Sequence, residues 1–425
     1  MSNFPALERK LGLTDAIMIG LGSMIGAGIF AAFAPAAAAA GAGLLVGLAI
    51  AAVIAYCNAT SSAQLAAQYP TSGGTYVYGR ERLGQWPGFL AGWSFVIGKT
   101  ASCAAMALTC AAYLAPTGWE KPVAVVAVLG LTAVNYFGVT RTAQLTKIIV
   151  IAVLCVLAGV IVLGLGSGPV TNGADSDLLA TFGAGSMFEH GWTGILQSAG
   201  LLFFAFAGYA RIATMGEEVK EPRVAIPRAI LTSLGVALVL YVAIAATALW
   251  ALGPDALATS SAPLADMVAH VPWAVPVVKA GAGLAALGAL LALITGIGRT
   301  SLAMARNGDL PRWLAAVHPK YAVPHRAELV LGIVVCVLVV SVDLRGAIGF
   351  SSFGVLLYYL VANVAAWTQS PGHRRYPRVL QIVGAIGCLA LTIFLPATSV
   401  AIGVVVLVVG SCLRLVALRQ RSLQA

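Results

Sequence analysis

Apolar runs of about twenty residues follow one another along the chain, separated by short segments rich in Gly, Pro and charged residues. A helix that crosses the hydrocarbon core of a bilayer needs about 20 apolar residues. The limits of the runs predict twelve such helices, at 14–38, 43–66, 88–114, 122–139, 144–166, 193–215, 227–252, 272–300, 327–343, 346–369, 378–395 and 397–416. The segments between them are too short to fold a separate soluble domain, so residues 1–425 read as one all-α membrane domain. The first run begins after Arg9 and Lys10, but it is long, interrupted by glycines and followed by further runs, so it reads as a span and not a cleaved leader.

Composition excludes a soluble chain. Of the residues 60% are apolar and only 9% charged, with a mean hydropathy of +0.93, against roughly a quarter charged in a soluble protein. A net charge of +10 would suggest nucleic acid as partner in a soluble chain. In a polytopic membrane protein it is expected, because Lys and Arg gather in cytoplasmic loops, and the partner is the lipid bilayer and no nucleic acid. If the N-terminus lies inside, twenty of the 25 basic residues fall in cytoplasmic segments, and only Lys121 and Arg345 fall outside. Lys99, Arg211 and Lys279 lie in or near spans. This asymmetry predicts a multi-pass protein of the cytoplasmic membrane with both termini inside. The sizeable outer loops are 167–192 and 253–271.

The seven cysteines, Cys57, Cys103, Cys110, Cys155, Cys336, Cys388 and Cys412, all lie in apolar runs without a CxxC pair and read as small buried hydrophobes. The five histidines fall in loops or at their edges, so no metal site and no cofactor is expected. No P-loop of the form GxxxxGK[ST] occurs, and ATP is not expected to drive the protein directly. An embedded enzyme would need clustered acid, base or nucleophile sets inside the spans, and a channel would need a continuous polar stripe. Neither is present.

What the spans do contain is two interruptions. Gly22-Ser23-Met24-Ile25-Gly26-Ala27-Gly28-Ile29-Phe30 places several glycines at mid-membrane depth, which invites either a broken helix or a close helix contact through the Gly22 and Gly26 pair. Phe203 to Arg211, with Gly208-Tyr209 at its centre, is the second. Broken helices expose backbone N–H and C=O groups that hydrocarbon cannot satisfy, so they persist only where protein or a cavity surrounds them. Breaks in the first and sixth of twelve helices, five apart, point to a transporter site at the midplane of an inverted repeat.

These same segments resemble the amino acid-polyamine-organocation transporters. The resemblance rests on the Gly22 to Phe30 motif, Tyr69-Pro70-Thr71-Ser72-Gly73-Gly74-Thr75-Tyr76, Gly208-Tyr209 followed by Glu217-Glu218-Val219-Lys220-Glu221-Pro222 and Ile226-Pro227-Arg228-Ala229, and Ala303-Met304-Ala305-Arg306-Asn307-Gly308-Asp309-Leu310-Pro311. It implies five plus five inverted helices, about 14–166 and 193–369, with two appended at about 378–416. The amino acid would lie between the first, third, sixth and eighth helices. Its carboxylate would meet the N–H groups around Ile25, Gly26, Ala27 and Gly28. Its ammonium would meet carbonyls near Ser23, Phe204, Ala205 and Ala207, at the break marked by Gly208. By similarity Phe204 stands as an aromatic gate, or else packs against lipid or core, and Cys103 and Met106 face the side chain.

The chain departs from the family pattern where coupling residues are expected: Ala210 stands where many relatives carry an acid, and Val153 where proton-coupled relatives can carry a lysine. Lys99, about eleven residues into the third span, is the exception among ionisable groups, all carboxylates lying near predicted ends. A buried cation at that depth faces a cavity or a partner. Lys99 is therefore either the proton-coupling group or a permanent strut held by backbone carbonyls. Arg211 either snorkels to the cytoplasmic surface or lines the inner pathway, and Lys279 snorkels at the outer end. Glu217, Glu218 and Lys220 are expected to form inner-gate ion pairs with loop residues such as Arg80 or Arg82. The expected activity is secondary active, proton-coupled symport of neutral amino acids by alternating access, with an exchanger or exporter on the same fold as the alternative.

Overall fold

A computed structural model describes residues 9–71, 73–138, 143–168, 183–321 and 323–422. Ser72 and most of the outer loop 167–192 lie outside them. The helices are α1 (Leu13–Ile25), α2 (Ala27–Ala31), α3 (Phe33–Ala40), α4 (Leu44–Gln68), α5 (Thr75–Leu83), α6 (Gln85–Leu114), α7 (Glu120–Tyr136), α8 (Ala143–Gly166), α9 (Ala184–Phe188), α10 (Gly191–Phe206), α11 (Ala210–Ala213), α12 (Pro222–Thr259), α13 (Pro263–Asp266), α14 (Ala274–Arg306), α15 (His325–Ser341), α16 (Leu344–Trp367), α17 (Arg378–Phe394) and α18 (Ala397–Ser422). Among the described residues there is no strand beyond an isolated bridge between Leu11 and Val219. Among the described residues nine segments are long and apolar enough to cross a membrane. Of the remaining apolar runs, α7, α15 and α17 have 17 residues each, about 26 Å at 1.5 Å per residue, the lower end of a spanning length.

Most expected limits hold to within a few residues, but α12 begins about five residues before its run and α14 and α18 end about six residues after theirs. The seventh run is interrupted where it is expected to end: Gly253, at φ +73° and ψ +168°, breaks the helix ahead of Pro254, and a short helical stretch follows to Thr259. The connection between α4 and α6 is not a plain loop, since it contains the helix α5.

The molecule is apolar outside and mixed inside, as a membrane demands. Val126, Val162, Val239, Ile333, Ile386 and Val405 are exposed, whereas Asn58, Ser61, Lys99, Glu328 and Asn363 are buried. The cysteines divide along the same line. Cys57, Cys103, Cys110 and Cys388 are buried as expected, but Cys336 is only partly buried and Cys155 and Cys412 are exposed on the apolar exterior, because hydropathy alone does not tell which side of a spanning helix faces lipid. The buried polar groups tie helices together: Asn363 Nδ2 donates to Asn58 Oδ1 at 2.6 Å, and Ser61 Oγ donates to Asn363 Oδ1 at 2.7 Å, joining α4 to α16. The central α6 packs on α14 and α16, and α4 on α10 and α12.

Leu11, the 214–222 segment, α5, the 307–315 segment and the loop after α16 lie on one face, here termed the basic face, linked by the contacts described below. Its central charged group is the buried Asp309, which accepts Arg80 at 2.7 Å, Arg414 at 3.0 Å and the Tyr76 hydroxyl at 2.8 Å. Burial and the neighbouring Asp309 push the Tyr76 phenol up to about 12, so it stays a donor.

Candidate functional site

The first break is at Gly26. This residue takes φ −41° and ψ −113°, ending α1 and starting α2 without a side-chain cap. Ala32, at φ −78° and ψ −22°, keeps α2 and α3 in near line, so the chain resumes as one rod from Ala27 to Ala40. The second break is the 3-10 turn Ala207–Tyr209 between α10 and α11.

The two breaks lie against each other. A Cβ on Gly208 would clash with the Ser23 carbonyl, and one on Gly28 would come within 2.7 Å of the Ala205 Cα. Only residues without a side chain let the two interrupted backbones touch here. A Cβ on Gly26 would lie 2.5 Å from the Ala289 Cβ and 3.4 Å from the Met106 sulfur, which brings the first, third and eighth predicted spans together at this point.

The carbonyls released by the breaks have donors. The Tyr241 hydroxyl, on α12, lies 2.7 Å from the Met24 oxygen and 2.9 Å from the Ala205 oxygen. Lys99 Nζ donates to the Ala207 oxygen at 3.0 Å, with the Tyr359 hydroxyl 3.5 Å from the same atom. The Ala207 N–H donates to the Phe204 oxygen, and the Tyr113 hydroxyl donates to the Phe30 oxygen at 3.0 Å. Each carbonyl oxygen has two lone pairs, so the single donor on Met24 or Ala205 leaves capacity for another, whereas the Ala207 oxygen already meets two.

Of the residues singled out in the sequence, Ile25, Cys103, Met106, Phe204, Ala205 and Ala207 are buried. Ser23 donates its hydroxyl back to the Ile19 carbonyl at 2.9 Å. Lys99, Cys103 and Met106 follow one another at helical spacing on one face of α6. Arg211 is half-buried, donating to the Thr214 hydroxyl at 3.3 Å and lying 3.8 Å from where a Cβ on Gly296 would stand. It therefore sits between α11 and α14. Lys279 is exposed near the start of α14. The sequence reading missed Tyr241 and Tyr359, although a tyrosine inside a span needs an acceptor for its hydroxyl. It also missed Ala289, whose position depends on the register between α14 and the break.

Beside the first break a cavity of about 10 Å³ is lined by Gly22, Ile25, Gly26, Ile149, Val150, Val153 and Ala285. The lining carries no ionisable side chain, in keeping with Val153 at that place. A groove of about 1090 Å³ runs between α6, α15, α16 and α18, but it touches Val96, Thr100 and Ala104 of α6. Its lining includes none of Lys99, Cys103 and Met106 and no residue of the two breaks, so it is separate from them.

On the basic face, α1 and the 214–222 segment are clasped to their surroundings. Asp15 pairs with Lys147 of α8 at 2.7 Å, and Glu218 with Arg299 of α14 at 2.8 Å. The Leu11 N–H donates to the Glu218 carbonyl at 3.0 Å, and the Lys220 N–H to the Leu11 carbonyl at 2.8 Å. The expected pairing of Glu218 with Arg80 or Arg82 is not found. Arg80 goes to Asp309, and Arg82 donates to the Thr368 carbonyl and hydroxyl, although α5 itself reaches the neighbouring stretch, the Tyr78 hydroxyl donating to the Ala213 carbonyl at 3.2 Å.

A multi-pass helical protein in which two interrupted spans meet in the interior is a membrane transporter and not an enzyme. The amino acid permease family profile matches residues 11–415, and the chain belongs to that family. It is 59% identical over 406 residues, 95% of this chain and 90% of the relative, to an uncharacterized transporter of Mycobacterium tuberculosis. It is 30% identical over 397 residues to the chloroplastic cationic amino acid transporter 7 of Arabidopsis thaliana, covering 88% of this chain and 66% of that one. To a branched-chain amino acid permease of Bacillus subtilis it is 26% identical over 405 residues, 89% of this chain and 84% of the other.

Proposed function

We propose that the chain carries neutral amino acids by proton-coupled symport across the cytoplasmic membrane. In this reading it crosses twelve times as five plus five inverted helices and two appended ones, with the basic face and both termini in the cytoplasm. The observation that carries it is the contact of the two breaks, with Lys99 on the carbonyl of Ala207.

The substrate carboxylate meets the N–H groups of Ile25, Gly26, Ala27 and Gly28, where helix dipole and free donors coincide. The ammonium donates to the carbonyls near Ser23, Phe204, Ala205 and Ala207, at the last in place of the 3.5 Å contact from Tyr359. Cys103, Met106 and Phe204 surround the side chain without a carboxylate, and the ammonium of Lys99 repels a cationic side chain, which favours neutral substrates. The named relatives differ here, one being called cationic and one branched-chain.

Lys99, on the Ala207 carbonyl, stands at the ammonium end of the seat, so gain or loss of its proton changes the charge that the zwitterion meets there. Arg211 lines the inner pathway. A second reading is favoured by the same Lys99 bond: a lysine permanently held by Ala207 does not titrate, and the carrier then works by exchange.

Proteoliposomes separate these readings. Uptake of labelled neutral amino acids driven by an inward proton gradient supports symport, and uptake that needs internal amino acid supports exchange. Uptake stimulated by neither rejects both.

A further inference from the structure

Glu328, in the first turn of α15, is 1% exposed, and its Oε2 has no hydrogen-bond partner. The carboxyl lies against α14 at Gly298, where a Cβ would come within 3.1 Å of Oε1. From α7 the Asn135 amide faces the carboxyl. Even so, Asn135 Nδ2 and the nearby Thr132 Oγ1 complete no hydrogen bond, while Asn135 Oδ1 accepts from Thr295 at 3.0 Å. Three helices thus enclose a polar node with an acceptor oxygen left bare. A bare anionic oxygen inside protein is costly, and a bound proton removes the cost.

The residue after Gly298 is Arg299, the charged group acting on Glu328, and its guanidinium is on Glu218. Other titratable groups around α15 are engaged elsewhere. His325 packs on Tyr136 and His318, Arg326 donates to the Trp313 carbonyl at 3.4 Å, and Lys99, the charged side chain of the neighbouring α6, points at Ala207.

We propose that Glu328 is a proton-binding site whose occupancy sets the basic-face clasp through Arg299. Protonated, it leaves the guanidinium to Glu218, and the segment holding Leu11 stays shut. Ionised, it draws Arg299 back along α14 and loosens that segment. This goes beyond the transport reading and requires no particular solute.

The Leu11 and Lys220 amides report the clasp directly, because both bonds cross it. Their hydrogen exchange would be followed in the full chain in lipid nanodiscs, without substrate, at about pH 6 and about pH 8, corrected for intrinsic exchange. We expect wild-type protection to fall about tenfold or more at the higher pH. Glu328→Gln should keep the high protection at both, and Arg299→Gln the low protection at both. Wild-type protection that ignores pH, or an unaltered pH response in either variant, overturns the proposal. Arg299→Gln alters an exposed side chain, so the test survives if Glu328→Gln does not fold. Failed amino acid uptake with an intact pH response counts against the transport reading alone.

Discussion

The Tyr241 hydroxyl lies 2.7 Å from the carbonyl oxygen of Met24, two residues before Gly26, and 2.9 Å from that of Ala205 before the second break. One proton shared between two carbonyls ties both interrupted helices to α12. Tyr241→Phe removes that donor and little volume. Leaving a buried carbonyl without its partner costs about 1–3 kcal/mol. We expect a lower melting temperature in detergent and substrate binding weakened about tenfold, since 1.4 kcal/mol is tenfold in affinity. Isothermal titration with wild-type affinity would show that the hydroxyl does not hold the breaks.

The glycines at the contact differ in what surrounds them, and their variants should rank accordingly. Gly208→Ala drives a methyl group into the backbone of Ser23 and Met24, which cannot rotate away. Gly26→Ala meets the Ala289 methyl and the flexible Met106 thioether. Overpacking of this kind costs about 1–3 kcal/mol. Transport per folded molecule should fall in both, further in Gly208→Ala, and Gly26→Leu should abolish binding. Equal uptake rates in Gly208→Ala and wild type would contradict the close approach.

How far the sequence carries is visible at these positions. The glycines of Gly22 to Phe30 mark the first break because an interrupted helix in oil is a local property of composition. Lys99 stands out for the same reason, as a charge in an apolar run. Its acceptor, Ala207, does not, because the register between α6 and the sixth helix is set by packing across the whole interior. Glu328 escapes notice for a related reason: it opens a predicted span and resembles an ordinary helix-end acid, and only the approach of α14 at Gly298 buries it. The partners of Arg80 and Glu218 depend on which loops meet, and hydropathy is silent on that.

Lys99 separates the two modes of coupling. Lys99→Met keeps the length and apolar stem of the side chain and removes the donor to Ala207. If Lys99 carries the proton, uptake driven by a pH gradient disappears while exchange against internal amino acid persists, within about tenfold of wild type after loss of one hydrogen bond of about 0.5–1.5 kcal/mol. If it is a strut, both activities fall together. Parallel proteoliposome assays on the one variant decide, and proton-driven uptake at the wild-type rate removes Lys99 from either role.

Asp309 holds the basic face through a buried charge pair. The Arg414 side chain is only 3% exposed, lies 3.0 Å from Asp309 Oδ1 and is placed over the rings of Trp86 and Phe89 at 4.5 and 4.6 Å. Asp309→Asn leaves that guanidinium without its anion, and losing one partner of a buried pair costs about 3–5 kcal/mol. Arg414→Met leaves Asp309 with Arg80 and Tyr76, so its cost should be smaller. The double variant should be more stable than Asp309→Asn alone, because the stranded charge is gone with its partner. Thermal unfolding of the four proteins in the same detergent gives the coupling directly, expected at about 1–3 kcal/mol for groups in contact. Strictly additive losses would mean that Arg414 is held by the aromatic rings and the Gln85 carbonyl, and that Asp309 serves Arg80 alone.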